Sequence, residues 1–500
     1  MNWAKSAALF SIIAILLLSA LLFFMKQPGP DRSANGTGKG LVLYCAAGIK
    51  PPVEAAARAY EAEYGIPIQI QYGGSGTLLS NLQVARRGDL YLAGDDDYLS
   101  RAREKELVRE ILPLATMKPV IAVQKGNPKS IAGVSDLLRD EVATAIANPG
   151  AAAIGRITRE LLSGSGQWAV LEENAVVTKP TVTEIANDLK LGTIDAAVLW
   201  DATVAQYDEL EAIAVPGWDQ ATQQIAIGIL NWSERPTAAL HFARYLAARD
   251  RGLLEFERSG YQPVMGDVWA DVPEATLFSG GVNRLAVEPT ITAFEEREGC
   301  RITRVYNGCG ILVAQMKAGQ WPDAYFSCDV SFMTQVADLF LDSIDLTETD
   351  MVLVVARDNP LKIESARDLT REGIRVGIAN AEQSALGALT KALLEKNGLY
   401  DDILPNVRSQ TPTADLLVNQ LRTGSLDAVI VYKANTSQIG DKAEVLSLGL
   451  QDAVARQPYA VGAKSEHPYL MQRLLEAIRK DASRFEETGF RWIAGAELGK

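Results

Sequence analysis

The chain has 500 residues, which at roughly 100–200 residues per domain means two to four domains and excludes a single small binding module. It is 48% hydrophobic and 22% charged, an ordinary globular composition that excludes a disordered or fibrous protein. Its net charge of −13 is the reverse of the basic face needed to neutralise phosphates, so no nucleic-acid partner is expected.

Ala7 to Met25 is a 19-residue run of Ala, Leu, Ile, Phe and Met broken only by Ser11 and Ser19. As a helix it is about 28 Å long, close to the hydrocarbon thickness of a bilayer, whereas a signal-peptide core usually has roughly 7–15 residues. No convincing small-x-small cleavage site follows Phe24. Residues 1–26 are therefore expected to be a retained single-pass membrane anchor with the body outside the cytoplasm, a cleaved signal peptide being the alternative. Residues 27–40 (QPGPDRSANGTGKG) read as a flexible linker. The GTGKG fragment lacks the preceding strand and the spacing of a phosphate-binding loop.

The body then alternates strand and helix. Leu41–Cys45 reads as a strand, Pro51 and Pro52 open a helix through Tyr64, and Ile66–Tyr72 alternates like a strand. A glycine-rich turn, Gly73–Gly76, follows, then a helix over Thr77–Arg86, a strand over Asp89–Ala93 and a helix over Tyr98–Lys105. Val120–Val123 and Met351–Val355 are short buried strands where a chain would cross to a second lobe. This grammar implies a parallel α/β sheet whose ligands sit beyond the strand carboxyl ends.

The pattern occurs twice. Tyr72-Gly-Gly-Ser-Gly-Thr-Leu78 returns as Tyr306-Asn-Gly-Cys-Gly-Ile-Leu312, 234 residues later, and Thr193-Ile-Asp-Ala-Ala-Val-Leu-Trp200 returns as Ser425-Leu-Asp-Ala-Val-Ile-Val-Tyr432. Tyr72, Gly74, Gly76, Leu78, Asp89, Tyr91 and Asp95 all recur in register. The expected organisation is therefore anchor 1–26, linker 27–40, and two copies of one α/β domain at 41–269 and 270–500. Each copy sets small residues and hydroxyls at strand-to-helix junctions, where helix N-termini offer unpaired amides and a partial positive charge suited to an anion.

These motifs resemble the periplasmic molybdate-binding proteins of ABC importers: a first strand ending in small residues, YGGSGTL, GDLYLAGD and IDAAVLW. The resemblance covers both halves and implies a tandem of periplasmic-binding-protein folds, each with two α/β lobes and a ligand cleft between them. In that family two serines, two backbone amides and a tyrosine hydroxyl hold a tetrahedral oxyanion. By resemblance the first site is Gly48, Gly74, Ser75, Ile154, Val182 and Trp200. The second is Gly281, Gly308, Cys309, Leu386, Ala414 and Tyr432. The first copy keeps the loop serine but has Trp200 for the tyrosine; the second keeps Tyr432 but has Cys309 for the serine. Each copy has glycine, Gly48 or Gly281, where the family has its first-strand serine. Lys50 and Asn283 are candidates to compensate. The implied function is capture of molybdate, tungstate or a similar oxyanion for a separate permease and ATPase. The alternative is a membrane-tethered sensor or scaffold with diverged sites.

Several residues invite other chemistry. Asp95, Asp96 and Asp97 could ligate a hard cation, but Asp95 recurs as Asp329 and reads as a helix N-cap. Arg156 and Arg159 follow an anion-binding turn yet read as a solvated helix face, and His467 reads as a surface residue. Only two histidines and no CxxC occur, so no metal site, cofactor or enzymatic activity is expected. Cys309 and Cys328 align with Ser75 and Gly94 at junctions facing one cleft. The expectation is two separate reduced thiols, since a ligand needs a gap there; a disulfide is the alternative. Cys45 and Cys300 read as small apolar packing residues.

Overall fold

The structure, a computed structural model, describes residues 40–437 and 439–495. The expected anchor, and the expected linker apart from Gly40, lie outside the described residues. Among the described residues, no helix is long and apolar enough to cross a membrane.

The first half contains β1 (Leu41–Ala46), β2 (Ile68–Gly73), β3 (Leu90–Ala93), β4 (Val108–Met117), β5 (Pro119–Gln124), β6 (Thr144–Ala147), β7 (Val177–Lys179), β8 (Ala196–Trp200), β9 (Leu210–Ile213), β10 (Gln223–Leu230) and β11 (Gln262–Pro263). Two sheets result, in the orders β11-β4-β10-β3-β1-β2 and β7-β6-β8-β5-β9, and each is the centre of one lobe. The strands β1, β2 and β3 pair in parallel, as the alternating grammar requires. The sheet as a whole is mixed, because β10 returns from the second lobe and pairs antiparallel with both β3 and β4.

The second half contains β12 (Glu274–Gly280), β13 (Arg301–Asn307), β14 (Ala324–Phe326), β15 (Ile344–Ala356), β16 (Val376–Ala379), β17 (Val407–Thr411), β18 (Ala428–Tyr432), β19 (Ala443–Ser447), β20 (Val454–Val461) and β21 (Arg491–Trp492). Here the crossing segment is one uninterrupted strand. The stretch Ile344–Asp350 of β15 pairs with β20, and Met351–Val355 pairs with β18, so both lobes join in one ten-stranded sheet. In the first half the same crossing is broken at Lys118, whose amide donates to Asp201 Oδ1 at 3.0 Å.

Local chemistry explains the shared elements. The helix Lys50–Tyr64 starts with prolines in its first turn, where no intrahelical N–H is needed, and stops at Gly65 with φ 67°. The recurring Asp89 and Asp323 are structural: each carboxylate accepts an amide near the start of its half's first strand, Val42 N at 2.9 Å and Thr276 N at 2.7 Å. Each also accepts a serine hydroxyl at 2.6 Å, from Ser233 and Ser465 respectively. Tyr72 and Tyr306 likewise both donate to a glutamate of the first helix, Glu54 and Glu288.

The apolar core lies in two parts, one drawn from residues 41–261 and the other from 275–490. The halves meet through their first lobes. Asp267 caps the helix Pro468–Lys480 by accepting Tyr469 N at 2.8 Å and Leu470 N at 3.0 Å. Arg297 makes a two-pronged bond to Glu110 at 3.0 and 2.9 Å. His467, expected at the surface, is buried in this junction, where it lines a small cavity with Trp269 and Arg473.

Candidate functional site

In each half a cavity lies between the lobes at the strand carboxyl ends. Gly48, Gly74, Ser75, Val182 and Trp200 all line the first, together with Ala152 and Ala153. Ile154 does not: its side chain is fully buried in the helix Ala153–Ser163, and the wall there is Ala152 and Ala153. Gly281, Gly308, Leu386, Ala414 and Tyr432 line the second cavity. Cys309 does not: its sulfur is bonded to Cys328, with the Cα atoms 6.4 Å apart. The expectation of two separate thiols is thus overturned, because both junctions belong to one lobe and their Cα atoms lie within the roughly 7 Å a disulfide can span. Gly280 allows the bond, since a Cβ there would collide with Cys328 Sγ; the first half has Ala46 at this position, opposite Ser75 and Gly94.

The glycine-rich turns owe their composition to the opposite lobe. A Cβ on Gly74 would stand 2.6 Å from Pro180 O, and Gly76 N donates to Ala151 O at 2.9 Å. The second half repeats both features: a Cβ on Gly308 would stand 2.6 Å from Pro412 O, and Gly310 N donates to Gln383 O at 3.1 Å. Both clefts are closed, and the recurring glycines let the two backbones touch.

No residue lining the first cavity carries an ionisable side chain. Ser75 Oγ accepts from Gly94 N at 2.9 Å, which fixes the oxygen and leaves the hydroxyl hydrogen uncommitted. The helices Ser75–Ala85, Ala153–Ser163 and Val182–Leu191 begin at this cavity; Gly76 N, Gly155 N and Glu184 N donate to Ala151 O, Ala152 O and Thr181 Oγ1, and the amides that open each helix remain as donors. Thr203, which the sequence reading missed, has a buried hydroxyl with no partner, 3.3 Å from where a Cβ on Gly48 would stand. The cavity measures about 30 Å³, room for a small ion or a few waters. The arrangement can solvate a small anion by fixed dipoles instead of a counter-charge.

The other candidates are engaged elsewhere. Lys50 pairs with Glu54 at 3.6 Å and lies over the Tyr72 ring at 5.3 Å. Asn283 donates to Phe326 O and Ser327 O, away from the cleft. Asp95 caps its helix through Tyr98 N at 3.1 Å. Arg156 is neither solvated nor aimed at a ligand: it is buried and reaches across the cleft to Asp95 at 2.5 Å. Burial works against its charge, yet Asp95 holds the guanidinium pKa above its ordinary value. Asp97 completes the pairing with Arg156 Nε at 3.4 Å, while Arg159 stays exposed. Among the described residues, no group of three His, Cys, Asp or Glu side chains is arranged to hold a metal ion.

Two closed clefts, each between two α/β lobes joined by crossing strands, define a two-lobed binding protein. The chain belongs to the family of bacterial extracellular solute-binding proteins, whose sequence model matches residues 41–262 and again 275–491. It is 29% identical over 224 residues to a protein of Haemophilus influenzae named "Putative binding protein", which covers 45% of this chain and 91% of that one. It is 26% identical over 198 residues to the molybdate-binding protein ModA of Mycobacterium bovis, covering 38% of this chain and 74% of that one. Among solved structures, the periplasmic molybdate-binding protein of Azotobacter vinelandii is 14% identical with a TM-score of 0.39, covering 44% of this chain and 98% of that one.

Proposed function

We propose that the first cleft captures a small tetrahedral oxyanion, molybdate or tungstate foremost, for delivery to a separate ABC permease and ATPase. The observation that carries this reading is the uncharged cavity with Ser75 presenting a free hydroxyl hydrogen among three helix N-termini. Gly48, Gly74, Ser75, Val182 and Trp200 form its wall, and the amides at the start of the Ala153–Ser163 helix, including Ile154, supply further donors. The name of the Mycobacterium relative supports the choice of anion. On this reading residues 1–26 anchor the protein, 27–40 tether it, and 41–269 and 270–500 are two binding units outside the cytoplasm.

Calorimetry on the full chain tests it. Molybdate and tungstate bind saturably, and Ser75→Ala weakens the binding about 10- to 150-fold, the loss of one hydrogen bond to a charged group. Absence of any oxyanion binding overturns the reading. The lost family donors at Gly48, Trp200, Gly281 and Cys309 favour the second reading, a tethered sensor or scaffold; it requires that deleting the chain leave oxyanion uptake unchanged.

A further inference from the structure

The two clefts differ in a consistent direction. Aligning the halves puts Asn307 opposite Gly73, Ser384 opposite Ala152, Asp415 opposite Thr183, Tyr432 opposite Trp200 and Asn435 opposite Thr203. Asn307 and Ser384 add a hydrogen-bonding side chain where the first half has glycine and alanine, Tyr432 and Asn435 exchange an indole and a hydroxyl for a phenol and an amide, and Asp415 introduces a carboxylate into the lining. In the opposite sense, the hydroxyl at Ser75 has become a sulfur committed to Cys328.

Tyr432 is 2% exposed, lines this cavity, and its hydroxyl has no partner. Asn435 donates through Nδ2 to Asp415 Oδ1 at 3.3 Å, which fixes the amide orientation and leaves Oδ1 as a buried acceptor with no partner. Asp415, which keeps solvent exposure and feels the Arg284 charge, and Asn435 thus form an acceptor pair in the cavity lining. The helices Cys309–Lys317, Ala385–Lys396 and Ala414–Arg422 start around it, so first-turn amides supply donors. A dianion satisfies the donors but meets the Asp415 carboxylate; a bare cation satisfies Asp415 but meets three positive helix ends.

Resting on the reading of both clefts as binding sites, we propose that the second cleft takes a small zwitterion bearing a carboxylate and an ammonium, not an oxyanion. The carboxylate lies against the helix amides and Tyr432 hydroxyl, and the ammonium against Asp415 and Asn435 Oδ1. The cavity, about 20 Å³, restricts the occupant to a few heavy atoms. The tandem then carries two chemically different cargoes on one chain.

Titration of the full chain with glycine, methylammonium, acetate and molybdate tests this. Glycine binds one equivalent per chain, with methylammonium and acetate each at least 100-fold weaker. Asp415→Asn and Tyr432→Phe each weaken glycine at least 10-fold while leaving the molybdate isotherm at one equivalent. No glycine binding, methylammonium binding as tightly as glycine, or a second equivalent of molybdate in the unaltered chain overturns the proposal. If glycine binds and molybdate does not, the reading of the first cleft fails while this one stands.

Discussion

Asp95 and Arg156 meet across the first cleft in a buried ion pair 2.5 Å long, one from the β3 junction and the other from the second-lobe helix Ala153–Ser163. The corresponding position to Arg156 in the second half is Ala388, so the second cleft closes without such a clasp.

Arg156→Met leaves Asp95 buried without its counter-charge. The expected cost to the first half is about 3–5 kcal/mol, whereas the double variant Asp95→Asn/Arg156→Met recovers more than half of it. Urea unfolding of the single and double variants measures the difference; equal losses in both would show that the pair is not coupled.

Gly74→Ala sets a Cβ against the Pro180 carbonyl, which the closed cleft cannot admit. Oxyanion affinity is expected to fall at least tenfold, with about 1.4 kcal/mol of closure free energy lost per factor of ten. The radius of gyration from solution scattering increases as the lobes part. Unaltered affinity and scattering would show that lobe contact at this turn is dispensable.

His241 sits between Tyr60 OH and Asp271, with 2.8 Å to each from its two ring nitrogens. Burial lowers its pKa below the ordinary 6.5, outweighing the bond to Asp271. The unfolded chain therefore takes up the proton first, so this contribution is complete above about pH 6.5 and is lost as pH falls toward the folded value. The loss is at most about 1.4 kcal/mol per pH unit. Chemical denaturation from pH 7.5 to 5 checks it: His241→Gln flattens the slope, and an unchanged slope assigns the acid sensitivity to other groups.

Thiol counting on unfolded, unreduced protein is expected to find two free cysteines, Cys45 and Cys300. In the folded protein both resist alkylation, because they are buried and burial pushes the Cys300 thiol up to about 12 and Cys45 higher still. Four free thiols would contradict the Cys309–Cys328 bond.

The strand and helix positions were legible because periodicity and turn residues are local: the helix expected over Thr77–Arg86 spans Ser75–Ala85, and the strand expected over Asp89–Ala93 spans Leu90–Ala93. The duplication was legible because its identities sit at positions that topology constrains, such as Asp89 and Asp323. What the glycines touch was not legible, since Ala151 and Pro180 lie far along the chain and leave no pattern near Gly74. Arg156 misled for the same reason: its partner is 61 residues away. Thr203 carried no motif at all, and only a packed structure reveals a hydroxyl left without a partner.

The junction between the halves bears on how such a tandem persists. Once Asp267 of one copy had become the cap for a helix of the other, and Glu110 the counter-ion of Arg297, neither copy remained a spare. Losing the first copy strips a helix start of its cap, at about 0.5–2 kcal/mol, and strands an arginine. Losing the second leaves Glu110 and Asp267 facing water without their partners. Shared contacts of this kind act as a ratchet: recombination can generate the duplication in one step, but reverting it demands several compensating changes at once, and this gives the two clefts time to drift toward separate ligands.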